Sequence, residues 1–195
     1  RVASLHSIHH HFKSEKTLLN LNSVKNEKKS NNTEATAQLI LDSAHIDGFT
    51  FAMHDWPSDS FDSSLEMSNC CFDQINFNDL SLASVTFVNV EFKSCTFNSC
   101  SASDLVFERC RFYNKEEETG SPFKFAQLKD CRFTHCDLSL CDFSHANLYL
   151  CEFGQCQLTG ANLVQCSATQ SIGGSVQLHG AAIVDCNLAY ADLTG

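Results

Sequence analysis

The stretch CDLSLCDFSHANLYLCEFGQCQLTGANL, residues Cys136–Leu163, repeats with a period that belongs to neither a helix nor a flat strand. Leu138, Phe143, Leu148, Phe153, Leu158 and Leu163 recur every five residues, and Cys or Ala always stands two places earlier. A helix repeats its apolar residues at about 3.6 and a strand at 2. A period of five fits a short extended segment ended by a corner. Each such unit points two side chains inward, a large one at its centre and a small one two places before it.

The same beat runs through most of the chain. One frame runs from Met67 through Phe72, Phe77, Leu82, Phe87, Phe92, Phe97, Ala102 and Phe107 to Phe112. A second runs from Phe123 to Ala168, and a third holds Leu178, Ile183, Leu188 and Leu193. Leu41, Ile46, Phe51, Trp56 and Phe61 suggest an irregular beginning.

Cysteine use follows the beat. Eleven of the 12 cysteines stand two residues before a centre, and only Cys71 does not. A side chain that recurs at one structural position is selected for size, and buried Cys behaves as a small hydrophobe. Reduced core thiols are therefore expected, in a reducing cytoplasm.

The units Ala146-Asn147-Leu148, Ala161-Asn162-Leu163 and Ala191-Asp192-Leu193 resemble the A-[D/N]-L-x-x signature of pentapeptide-repeat proteins. The resemblance covers about residues 65–195. It implies an all-β fold, a right-handed quadrilateral parallel β-helix with one pentad per face and four pentads per coil. In such coils Cys131 and Cys151, Cys136 and Cys156, and Cys166 and Cys186 would each stack one rung apart, within disulfide reach. Residues 39–195 would form it, irregular at 39–64, behind a basic polar extension at 1–38. That extension, with VKNEKKSNN at 24–32, reads as mostly disordered. TEATAQLILDSA at 33–44 fits a short helix or a first strand. Stacked coils spaced by about 4.8 Å would make a rod on the order of 30 Å long.

The charge is uneven. Residues 1–38 carry six Lys/Arg and three Asp/Glu, whereas 39–195 carry seven and twenty, a net −13. From Phe133 onward there are five acids and no Lys or Arg. Binding phosphates requires cations, so the rod is not expected to bind nucleic acid directly. A basic protein surface suits it better. No apolar run reaches the roughly 18 residues of a membrane span.

The beat fails at two places. Tyr113–Pro122, YNKEEETGSP, makes the step from Phe112 to Phe123 eleven residues, where two pentads would take ten. Thr169–Ser175, TQSIGGS, keeps the count but puts Gly173 where an apolar centre belongs. A β-helix tolerates surface loops cheaply, so both could be passive insertions. The flanking stretches, Phe112-Tyr113, Gly120 and Phe123, then Cys166-Ser167-Ala168 and Cys186-Asn187-Leu188-Ala189-Tyr190, resemble the Qnr quinolone-resistance branch of the family. That branch carries a loop at each of these places. The resemblance implies an acidic mimic of B-DNA that binds DNA gyrase and topoisomerase IV and protects them from quinolones. It also implies a homodimer in the full-length form, through coils and a helix beyond Gly195.

On that reading the partner-binding residues are Tyr113, Asn114, Lys115, Glu116, Glu117, Glu118, Thr119 and Gly120 in the first loop. In the second they are Thr169, Gln170, Ser171, Ile172, Gly173, Gly174 and Ser175. Asp130, Asp137, Asp142, Glu152, Asp185 and Asp192 would supply an acidic surface. The alternative for these acids is that Asp or Asn before each centre suits the corner and keeps the rod soluble. Alternative functions are a scaffold or immunity-type binder with another protein partner, or an inactive fragment. No enzyme is expected, since GxGxxG, P-loop, HExxH and GxSxG motifs are all missing. No cofactor or metal is expected either; His6, His9, His10 and His11 lack a rigid partner residue.

Overall fold

The computed structural model describes residues 45–52, 61–62, 65–167 and 182–193. Among these, strands of two or three residues alternate with corners, and the chain winds into a parallel β-helix with four faces. Seven strands stack on the first face: His45–Asp47, Glu66–Ser68, Thr86–Val88, Val106–Glu108, Arg132–Thr134, Glu152–Gly154 and Ala182–Val184. The second holds Thr50–Ala52, Cys71–Asp73 and Glu91–Lys93, extended by bridges through Arg111, Asp137, Gln157 and Asn187. Bridges Asn76↔Thr96, Pro122↔Asp142, Asp142↔Asn162 and Asn162↔Asp192 mark the third face. On the fourth lie Phe61–Asp62, Ser81–Ala83, Ser101–Ser103 and Gln127–Lys129.

The pentad centres fill the axis. Phenylalanines form a column on each of three faces, and the rung spacing fixes their separation. Phe77, Phe97, Phe123 and Phe143 succeed one another at 4.7, 4.6 and 4.9 Å between ring centroids, nearly parallel. Within a rung, neighbouring columns meet edge to face, as Phe92 does with Phe97 at 5.4 Å and 75°. Both arrangements are favourable for quadrupolar rings. The fourth face contributes Leu82, Ala102, Leu128 and Leu148, which complete the square with smaller groups.

The small-residue position is buried as well. All twelve cysteines are free thiols, ten of them buried, with Cys71 and Cys186 half-buried. Their size is only part of their fitness for the site. Cys136 Sγ lies 3.3 Å from the carbonyl oxygen of Phe107 and 3.4 Å from that of Thr134, and Cys95, Cys110 and Cys156 repeat the pattern. A thiol is a weak donor, so it adds a second contact to corner carbonyls that already accept a backbone amide, as that of Thr134 does from Arg109 at 2.9 Å.

Corners require a left-handed residue. Among the described residues, twenty non-glycine residues have φ between +49° and +61°, nearly all at corners. Each costs about 1–2 kcal/mol in an isolated chain. Local hydrogen bonds offset part of this. The amides of Ser139, Ser144, Tyr149 and Val164 donate to the side chains of Asp137, Asp142, Asn147 and Asn162, at 3.2, 2.9, 3.1 and 3.0 Å. Asp or Asn before the centre therefore has a turn-forming role of its own.

Register corrects two sequence expectations. An ordinary coil advances twenty residues, as from Phe87 to Phe107. From Phe107 to Phe133 it advances twenty-six. The first interruption thus adds six residues to a single pentad step, because Phe112 and Phe123 are centres of adjacent faces stacked on Phe92 and Phe97. From Phe153 to Ile183 the coil advances thirty, so the second interruption inserts ten, two whole pentads, which keeps the count of five but displaces every later pentad relative to a twenty-residue coil. Consequently Cys186 stacks on Cys156 and not on Cys166: the Cys156 amide donates to Cys186 Sγ at 3.3 Å.

Candidate partner-binding surface

The first interruption is an ordered hairpin. Tyr113–Asn114 pairs antiparallel with Thr119–Gly120, Tyr113 opposite Gly120 and Asn114 opposite Thr119. The chain leaves the second face at Tyr113, turns through Lys115–Glu118 and rejoins the third face at Ser121. Glu118 takes the left-handed conformation that closes the turn, with φ +52°.

The hairpin is fastened to the preceding rung. Ser94 donates from Oγ to Glu117 Oε2 at 2.6 Å and accepts from Asn114 Nδ2 at 2.9 Å. Asn114 Oδ1 in turn accepts from the Glu116 amide at 2.9 Å. Its return strand lies close against the next rung. Gly120 faces the peptide joining Leu140 to Cys141, with no room for a side chain. Next to it, the Ser121 hydroxyl is buried without a hydrogen-bond partner.

The six acids predicted from sequence are distributed around the rod. Glu152 lies on the first face, Asp137 on the second, Asp142 and Asp192 on the third, and Asp130 and Asp185 at corners. Asp142 and Asp192 share a face two rungs apart, with Asn162 between them donating to Asp142 at 3.1 Å. Three of the six are ion-paired: Asp130 with Lys129 at 3.6 Å, Asp142 with Lys124 at 3.1 Å and Glu152 with Arg132 at 2.8 Å. Burial pushes the Asp142 carboxyl up, but the Ser144 hydroxyl and amide together with Lys124 outweigh it and hold the group below its ordinary value. Exposed pairs of this kind contribute about 0–1 kcal/mol each. Thr169–Ser175 and the histidines near the N-terminus lie outside the described residues.

Other chemistry is sparse among the described residues. No cluster of three His, Cys, Asp or Glu side chains is placed to hold a metal. Desolvation pushes the thiols of Cys95, Cys100 and Cys131 up to about 12, which makes them inert as nucleophiles at neutral pH. A cleft of about 270 Å³ is lined by Asn69, Cys71, Asn89, Glu91, Arg109 and Arg111. Its guanidinium groups are already engaged, Arg111 with Glu91 at 3.1 Å and Arg109 with Glu108. No helix among the described residues is long and apolar enough to cross a membrane.

Sequence reasoning missed the Ser94 contact. Its only trace in the sequence is a serine at a corner twenty-three residues before Glu117, and corners elsewhere also carry serine.

The family profile for pentapeptide repeats matches eight copies, over residues 126–165 and 151–188. With four faces, in-register parallel rungs and this match, the architecture is decided. The fold is that of a pentapeptide-repeat solenoid. Among solved pentapeptide-repeat structures, the chain is similar to full-length QnrB1, a plasmid-mediated fluoroquinolone resistance protein. The identity is 23%, with a TM-score of 0.50, covering 75% of this chain and 59% of QnrB1. A trypsin-treated QnrB1 gives 24% identity and a TM-score of 0.46, covering 75% and 56%. HetL, a pentapeptide-repeat protein of the cyanobacterium Nostoc involved in heterocyst differentiation regulation, gives 12% and 0.31, covering 76% and 84%. The chain thus spans about three-fifths of QnrB1. No curated protein matches it in sequence.

Proposed function

We propose that this chain is a non-enzymatic, Qnr-like binding protein that engages type II topoisomerases, DNA gyrase and topoisomerase IV, and protects them from quinolones. The observation that carries this reading is the hairpin of Tyr113–Gly120, which adds six residues to an otherwise regular twenty-residue coil and is fastened at its tip. A rigid rod gives such an arm a fixed position, which a passive surface loop would not need. The acids support it. Carboxylates on a stiff scaffold can offer a DNA-like field to a basic groove, and Thr169–Ser175 would supply a second contact. The target places its action in the cytoplasm, and a full-length form would pair as a homodimer.

A second reading, a scaffold for a different protein partner, is favoured by one observation. Three of the six candidate acids are neutralised by neighbouring cations, which thins the phosphate-like field.

The test is gyrase supercoiling in the presence of ciprofloxacin, with the 195-residue chain and with residues 114–119 deleted. That deletion returns the Phe112–Phe123 interval to one pentad, so the coil can close. Rescue by the intact chain and its loss on deletion are expected. Absence of both rescue and gyrase binding would remove the topoisomerase reading.

A further inference from the structure

We propose that Ser94 is the positioning residue of the hairpin, setting the conformation of its acidic tip from one rung away; its consequence for partner binding rests on the function proposed above. Ser94 occupies a corner with φ +49°, where any small polar residue would turn the chain. Here its hydroxyl both donates to and accepts from the hairpin. It donates to the Glu117 carboxylate at 2.6 Å, a charge-assisted contact of the strong class. It accepts from the Asn114 amide at 2.9 Å, on the opposite hairpin limb to Glu117's side of the turn. One hydroxyl thus joins the start of the hairpin to its tip. Asn114 completes the ring through its other amide atom, which receives the Glu116 N–H.

The neighbouring Lys93 contributes on the same rung. Its ammonium is held above its ordinary pKa first by Glu91, then by the Cys71 thiol, and also by Glu116. Lys93 itself pairs with Glu91 at 3.6 Å, and its charge adds a favourable field at Glu116 beside the direct Ser94–Glu117 contact. Holding Glu117 down orients the rest of the turn, including Glu118, which is exposed. A two-on-two β-hairpin is marginal by itself in water, so order at the tip depends on this anchor.

The experiment uses backbone amide exchange of the 195-residue chain, with three variants. Ser94→Gly removes the hydroxyl and suits the left-handed corner. Ser94→Asn also suits it and restores a donor to Glu117. Ser84→Gly makes the same change at a corner with φ +56° that does not touch the hairpin. Exchange of the amides of residues 114–119 should accelerate at least tenfold in Ser94→Gly, return to within about threefold of the parent in Ser94→Asn, and stay unchanged in Ser84→Gly. Global stability should not separate the two glycine variants. Unchanged hairpin exchange in Ser94→Gly, or equal acceleration in Ser84→Gly, would overturn the assignment. Gyrase protection by the same variants should follow hairpin order. A loosened hairpin with undiminished protection would overturn the consequence for binding. If the parent chain does not bind gyrase, the topoisomerase reading falls, and amide exchange still decides the role of Ser94.

Discussion

Gly120 lies against the peptide that joins Leu140 to Cys141, so closely that a methyl group on it would enter the Leu140 carbonyl and the Cys141 nitrogen. The obstacle is backbone and cannot swing aside. Gly120→Ala should therefore destabilise the protein by about 3 kcal/mol, read as a lowered urea midpoint. Gly154→Ala is the control. Nothing lies within 4 Å of the added atom, and the change should be neutral or stabilising by about 0.5 kcal/mol. Equal effects at the two sites would refute the close approach.

Ser121 stands two residues before Phe123, in the column that holds Cys95 and Cys141 on its neighbouring rungs. Its hydroxyl is 98% buried as a residue position and has no partner. Ser121→Ala should stabilise the fold by about 1 kcal/mol, because a buried polar group without a hydrogen bond carries its desolvation uncompensated. A loss of stability would mean that the hydroxyl is engaged in solution.

The centres and the corners place the same residue type in opposite situations. Phe92 stacks on Phe72 and Phe112 at 5.1 and 4.7 Å, whereas Phe125 is 55% exposed at a corner against His145. Phe92→Ala should lower stability by about 3–5 kcal/mol. Phe125→Ala should lower it by less than about 1 kcal/mol. Thermal and urea unfolding distinguish them.

Much of this was legible in the period of five. Phe133, Phe143 and Phe153 point inward because an extended residue between two corners has only one inner side, and Cys131, Cys141 and Cys151 fit because the wall admits only small groups. The register beyond Phe112 was not legible. Counting in sequence treats all residues alike, while the coil counts only those that stay on its wall. Hence Cys166 and Cys186, twenty apart, do not stack, and Cys156 and Cys186, thirty apart, do. The Ser94–Glu117 contact was equally hidden, since it joins exposed residues far apart in sequence whose meeting depends on the direction of the hairpin.

The thiol columns set an alkaline limit. In the fold, burial pushes Cys100, Cys131 and Cys166 from an ordinary value near 9.0 to about 12, while the unfolded chain titrates them near 9.0. Below pH 9 both states hold the proton and the contribution is fully present. Between about pH 9 and 12 the unfolded chain loses protons that the fold keeps, so stability must fall as pH rises. Urea midpoints taken from pH 8 to 11 should decline, and more gently in Cys100→Ala than in the parent. A flat profile would contradict the burial of the thiols.

Each rung is bonded only to the rung above and the rung below, and that has a mechanical meaning. A pull applied at the two ends of the rod would load one rung boundary at a time, so the protein should yield by unwinding, coil after coil, and not by a single rupture. Most steps would release twenty residues, about 70 Å of extended chain. The coils that carry the interruptions would release twenty-six and thirty residues, two longer steps that mark the hairpin and the larger insertion along the force trace.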